Sequence, residues 1–271
     1  MLAREVIDAC EGRGHEVEAL AREQLDITDA RTIDRAVERF GPDSVINCAA
    51  WSDVDGAEDD ERGAHLINDT GAGLLSAAAA RAGASVVYPS SDYVFDGQGR
   101  TPYLEHDMPA PIGAYGRSKL GGEVSVAAAN PRHFIVRSSW LYGRGGKNFV
   151  ETMLRLASEQ PEVLVVSDQR GCPTSCADLA AAIAELIETD ELGIHHIVGE
   201  GQCTWFDFAQ EIFDQAGTET RVMAATSQML ARKAHRPAFS VLGHSRGFVL
   251  ELPPWQESLR RYLDEREPVA R

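Results

Sequence analysis

Short apolar runs rich in Val and Ile alternate with helix-length segments, and that alternation constrains the fold more than any other feature. The runs are 15–20 (HEVEAL), 43–50 (DSVINCAA), 84–91 (ASVVYPSS), 133–143 (HFIVRSSWLYG) and 162–168 (EVLVVSD). A β-α-β-α order of this kind predicts an α/β fold, a doubly wound parallel sheet of Rossmann type with helices on both faces. Between the runs, apolar residues recur at three- and four-residue spacing. In 29–40, Ile33, Ala36, Val37 and Phe40 share one helix face, and Gly41-Pro42 stops the helix. After about residue 145, Pro161, Pro173, Pro237 and Pro253-Pro254 interrupt the pattern. The expected organisation is a Rossmann-like domain over 1–145, with 146–271 mainly a smaller lobe from which some segments return to the first domain. A chain of 271 residues can bury a core of that size.

A dinucleotide-binding sheet opens with a strand, a Gly-rich turn and a helix N-terminus that receives the pyrophosphate. This chain opens on what reads as that helix, 2–10, ended by Gly12 and Gly14. The first strand and its Gly-rich loop are missing from the pattern. In the strand order 3-2-1-4-5-6 their loss leaves two central edges unpaired, with buried N–H and C=O groups lacking partners. A start placed too far downstream accounts for this better than evolved loss, and a chain beginning here is expected to bind cofactor poorly and to be marginally stable.

Composition excludes several classes. The net charge of −16 disfavours an extended nucleic-acid or anionic-membrane surface. No apolar run reaches the roughly 20 residues of a membrane helix, and the first residues carry no signal-peptide core, so the expected location is the cytoplasm. Five scattered cysteines, Cys10, Cys48, Cys172, Cys176 and Cys203, have no zinc-site spacing and read as reduced thiols. Of 26 basic residues only Lys119, Lys147 and Lys233 are lysines, which draws attention to a lysine in a demanding place.

That place is 114–119 (AYGRSK), at a helix start 24 positions after Ser91. Tyr115 and Lys119, four apart, share a helix face and can address one ligand. A free phenol has a pKa of about 10, and a nearby ammonium lowers it toward useful proton exchange. Ser91, at the carboxyl end of its strand, can hold a substrate carbonyl oxygen.

Six stretches extend this signal in order along nearly the whole chain: 45–58 (VINCAAWSDVDGAE), 90–97 (SSDYVFDG), 115–123 (YGRSKLGGE), 137–157 (RSSWLYGRGGKNFVETMLRLA), 167–180 (SDQRGCPTSCADLA) and 236–242 (RPAFSVL). Together they resemble the extended short-chain dehydrogenase/reductases and, within them, the dTDP-4-dehydrorhamnose reductase family. The resemblance implies NADPH- or NADH-dependent reduction of the C4 ketone of dTDP-4-dehydro-L-rhamnose to dTDP-L-rhamnose. It also implies a nucleotide-sugar-binding second lobe and a homodimer. By the same match Ser91, Tyr115 and Lys119 are the catalytic residues, with Ser91 standing where the family commonly has Thr. Asp26, Ile27, Ala49, Ala50, Ser52, Tyr115 and Lys119 meet the cofactor, while Ser91, Asp92 and Trp140 meet the deoxysugar nucleotide. Asp26 equally suits a helix-cap neighbour before Thr28-Asp29, and Trp140 equally suits a core aromatic at a strand end.

Departures from the family pattern matter too. Ala3 stands where the Gly-rich motif ends in Gly. Some members use Mg²⁺, and Glu5 corresponds to one carboxylate of such a site, though no full ligand set is recognisable. The loop 21–24 (AREQ) is mixed, since Arg22 suits the 2′-phosphate of NADPH and Glu23 repels it. Two other readings stay open: a related 4-ketosugar reductase, epimerase or dehydratase, and a non-catalytic nucleotide-binding regulatory subunit of the same fold. The intact triad speaks against the second, and the missing strand for it.

Overall fold

The structure is a computed structural model and describes residues 1–266; residues 267–271, the end of the expected second lobe, lie outside it. In chain order the longer helices are α1 (Leu2–Gly12), α2 (Ala30–Phe40), α3 (Ala72–Arg81), α4 (Ala114–Ala129), α5 (Phe149–Glu159), α6 (Cys176–Leu186), α7 (Trp205–Ala216) and α8 (Trp255–Glu265). The strands are β1 (Ser44–Ile46), β2 (Ser85–Ser91), β3 (His133–Ser138), β4 (Leu141–Tyr142), β5 (Glu162–Val166), β6 (Arg170–Gly171), β7 (Thr174–Ser175), β8 (Gly193–His196), β9 (Cys203–Thr204) and β10 (Arg221–Ala225).

The main sheet has the order β1-β2-β3-β8, parallel throughout. Side chains alternate across it with the period of two that strands impose. Val87, Phe134 and Val136 face one side and pack with Val6, Cys10, Leu179 and Ile183 of α1 and α6. Val86, Tyr88 and Ile135 face the other, against Ala72 and Ala79 of α3 and Val126 of α4. The sheet is therefore covered on both faces, as the alternating pattern predicted. Local chemistry sets the helix ends. Asp29 caps α2 through the Arg31 amide at 3.0 Å, and Gly41, at φ 65°, closes it with its N–H on the Val37 carbonyl.

Four expectations are corrected. Residues 15–20 form no strand: a strand exists only through its ladder, and none of the described strands pairs with them. Residues 162–166 do leave the helices for a strand, but β5 pairs in parallel with β10 in a separate ribbon rather than joining the main sheet. The run 133–143 breaks in two at Trp140, whose φ is 49°. Phe40, expected on the buried face of α2, is 36% exposed at the last helical position, whereas Ile33 and Val37 are buried. The strand β8, which completes the sheet, is too short and too His-rich for its pattern to be read.

A second core joins β5 to α5, α7 and α8 through Tyr142, Val163, Phe208, Ile212 and Leu259. Helix α6 and strand β8 lie between its parts in sequence and pack on the main sheet. Helix α4 is tied to that sheet by an ion pair deep in the interior: Arg137 of β3 donates from Nε (2.8 Å) and Nη2 (2.7 Å) to the two oxygens of Glu123, which also accepts from Ser90 Oγ at 2.6 Å. Removing one partner strands a buried charge. Glu123→Ala is expected to lower the unfolding free energy by about 3–5 kcal/mol, and pairing it with Arg137→Met to recover part of that loss; urea denaturation of the three proteins checks both.

Candidate active site

The carboxyl ends of β1, β2 and β3 converge, as the ligand edge of a doubly wound sheet does. Ser91 closes β2 and is paired in register with Ser138, the last residue of β3. Its Oγ donates to Asp92 Oδ1 at 3.0 Å and accepts from the Tyr93 amide at 3.2 Å, capping a single 3-10 turn. Tyr115 and Lys119 occupy the first two turns of α4. The Lys119 ammonium, 3% exposed, donates to the Pro89 carbonyl at 2.7 Å and lies 4.2 Å from the centre of the Tyr88 ring. Thus the structure brings Ser91, Asp92, Tyr115 and Lys119 to one strand end.

Their electrostatics differ from what the sequence suggested. Lys119 does not depress the Tyr115 phenol. Burial and the Asp92 carboxylate push it up to about 12, and only the neighbouring Ser91 hydroxyl draws it back. The phenol is therefore held as a proton donor. Burial lowers Lys119 to about 7, with Glu123 and then Cys48 opposing. Asp92 is raised to about 6 by burial, against the nearby hydroxyls of Ser240 and Ser91, and its Oδ2 has no hydrogen-bond partner among the described residues.

The expected cofactor contacts fall into two groups. Ala49, Ala50 and Ser52 follow β1 and are exposed, leaving an open ledge of small side chains beside the β2 end. Asp26 lies before α2, with Oδ1 accepting from the Thr28 amide (2.9 Å) and hydroxyl (2.7 Å) while Asp29 does the capping. The Ile27 side chain is buried among Ile33, Val37 and Leu75, so only its main chain can face a ligand. Trp140, half-buried two residues beyond Ser138, stacks on Trp205 at 3.5 Å between ring centres, and both rings pack against the second core.

Glu5 does not fit a metal. Arg144 donates to both its oxygens, at 2.9 and 2.8 Å, and lowers its pKa, so the carboxylate is already neutralised. Among the described residues no group of three or more His, Cys, Asp and Glu could hold a cation.

Other contributors were not recognised from the sequence. Asn68 sits in a π-helical turn (Leu66–Gly71), a deviation that frequently marks functional sites. It accepts from the Trp51 amide at 2.8 Å and donates to the Trp51 carbonyl at 3.0 Å and to Ser118 Oγ at 2.9 Å, locking the loop after β1 to α4. Glu58 accepts the Ala114 amide at 2.8 Å, fixing the first turn of α4 one residue from Tyr115. Asp55 receives Arg236 through both oxygens (3.2 and 3.0 Å) and the Ala234 amide at 2.9 Å, which holds a late loop beside Tyr93, itself edge-on to Tyr115 at 5.5 Å. Asp55 and Glu58 lie within the motif 45–58, whereas nothing local marks Asn68.

For Asp92 the folded-state pKa lies above the unfolded one. No cost exists below about pH 4; it grows as pH rises toward about 6 and is complete above, at about 3 kcal/mol. Asp92→Asn keeps an acceptor for Ser91 and removes the charge. Its melting temperature relative to the parent protein is therefore expected to rise more near pH 8 than near pH 5, as thermal melts at the two pH values would register.

The comparisons with known proteins agree with this geometry. A family model described as the RmlD substrate binding domain matches residues 1–267. The spore coat polysaccharide biosynthesis protein SpsK of Bacillus subtilis is 41% identical over 95% of this chain and 91% of that protein. The dTDP-4-dehydrorhamnose reductase of Sinorhizobium fredii is 40% identical over 92% of this chain and 88% of its own length. The crystal structure of dTDP-4-dehydrorhamnose reductase from Bacillus anthracis in complex with NADP superposes with a TM-score of 0.95 at 38% identity, covering 98% of this chain and 95% of that one. With a matching model over nearly its full length and such relatives, the chain belongs to the dTDP-4-dehydrorhamnose reductase family.

Proposed function

We propose that this chain reduces the C4 ketone of dTDP-4-dehydro-L-rhamnose to the hydroxyl of dTDP-L-rhamnose, using a nicotinamide cofactor. The observation that carries the reading is the meeting of Ser91, Asp92, Tyr115 and Lys119 at the β2 end, with Trp140 at the neighbouring strand end. The names of relatives at about 40% identity support the substrate.

The donor set fits the cofactor. Lys119 keeps ammonium donors beyond the one used on Pro89, the ledge of Ala49, Ala50 and Ser52 leaves room for a flat ring system, and Asp26 keeps Oδ2 for a hydroxyl or amine. The chemistry supplied by the cofactor when bound is a hydride for C4. Ser91 orients the carbonyl oxygen with its hydroxyl. Tyr115, protonated across the neutral range, delivers its phenolic proton to that oxygen as charge develops there, so the ketone gains hydride and proton and becomes a secondary alcohol. Lys119, next along the same helix face and lowered to about 7 by burial, returns a proton to the phenolate left behind. Asp92 and Trp140 would hold the sugar.

NADPH is the proposed donor. Arg22, exposed after residues 15–20, forms no ion pair among the described residues and stays available for a 2′-phosphate.

Two measurements test the reading. NADPH oxidation with dTDP-4-dehydro-L-rhamnose, followed at the nicotinamide absorbance, is expected to drop by about 10²–10⁴ in Tyr115→Phe while affinity for dTDP-L-rhamnose stays within about twofold; undiminished turnover in that variant would sink the mechanism. Arg22→Ala is expected to weaken NADPH about tenfold, the worth of one charge-assisted contact, and to leave NADH unchanged, as calorimetric titration of each dinucleotide can establish.

A further inference from the structure

Trp140 is one of only two non-glycine residues with positive φ among those described, and the only bulky one. A large side chain in the left-handed region is strained and persists only where its surroundings over-determine it. Here the surroundings form a slot. One face of the Trp140 indole lies flat on that of Trp205, with centres 3.5 Å apart and planes within 7°. Its edge lies over Gly171, where a Cβ would come within 2.6 Å of Cε2. Trp205 is backed by Phe149, at 4.5 Å between ring centres. It is also the first residue of α7, whose start is fixed by a reciprocal capping box between Thr204 and Asp207. Strand β6 carries Gly171 and pairs with β9, so Gly171 stands opposite Cys203, two residues before Trp205. The two walls of the slot are therefore tied together by a strand pair, and Trp140 is held between them beyond the end of β3 at the ligand edge of the sheet.

We propose that Trp205 is a positioning residue for the sugar subsite. By holding Trp140 in its strained backbone conformation, it sets affinity for the sugar half of the nucleotide-sugar without touching the reacting atoms. The inference rests on the reading of Trp140 as a deoxysugar contact. Gly171 belongs to the same device, since any side chain there would lift the indole off its seat.

The test is calorimetric titration of the full chain with dTDP-L-rhamnose and, separately, with dTDP. Trp205→Ala is expected to weaken dTDP-L-rhamnose about tenfold, the size of one lost aromatic stack, and dTDP by less than about twofold, with Trp205→Phe recovering most of the loss. In a Trp140→Ala background the Trp205 substitution should have no further effect, because it acts through Trp140. Should Trp205→Ala give no cooperative melt, Trp205→Leu, which fills space without a flat face, takes its place. Equal weakening of both ligands, unchanged dTDP-L-rhamnose affinity, or an undiminished effect in the Trp140→Ala background each overturns the proposal. A parent protein that binds dTDP and dTDP-L-rhamnose equally well overturns the deoxysugar reading itself, and the proposal with it.

Discussion

The Glu123 carboxylate, buried between α4 and the sheet, is the contact on which the geometry of the site depends. It receives two nitrogens of Arg137 from β3 and the hydroxyl of Ser90 from β2. One carboxylate thereby sets the depth and rotation of α4 against two strands. Lys119, one turn earlier on the same helix, is then brought onto the Pro89 carbonyl, and Tyr115, one turn earlier again, onto Ser91. Such a pair is a poor source of net stability compared with apolar packing, but it tolerates little sliding, because a shifted helix would leave charges without partners. Glycines allow the close approach: a Cβ on Gly122 would collide with the Asn68 carbonyl, and one on Gly116 with the Tyr93 carbonyl.

Burial then prepares the chemistry. Desolvation disfavours the charged form of every group at the β2 end, so it raises Tyr115 and Asp92 and lowers Lys119. Asp92, at about 6, and Lys119, at about 7, are thereby brought close together, while Tyr115, at about 12, stays a proton donor above both. A ligand that adds or removes charge at this edge shifts all three together. The unpartnered Asp92 Oδ2 belongs to the same condition, being a buried polar atom that a sugar hydroxyl could satisfy.

Elements outside the main sheet carry the second half of the site. Asp55, Glu58 and Asn68 come from the segment between β1 and α3, Arg236 from the loop before α8, and Trp205 from the second core. They hold in place the elements that bear Ser91, Tyr115 and Lys119. The Asp55–Arg236 pair joins the segment after β1 to one some 180 residues away in sequence, so the edge of the sheet is walled by distant parts of the chain.

The sequence by itself determined the features whose physics is local. The alternation of apolar runs gave helices on both faces of a parallel sheet; Gly41 gave the end of α2; and a spacing of four put Tyr115 and Lys119 on one helix face. Local periodicity cannot say whether a run finds a ladder partner, so 15–20 reads as a strand and forms none, while 162–166 joins a ribbon of its own. Nor can it say how deeply a side chain is desolvated, and for that reason Tyr115 is raised where a neighbouring lysine suggested the opposite. The Glu123–Arg137 pair, the Asn68 bridge and the Trp140 slot were decided only by the tertiary structure, because each depends on residues from separate elements that packing alone brings within a few ångströms.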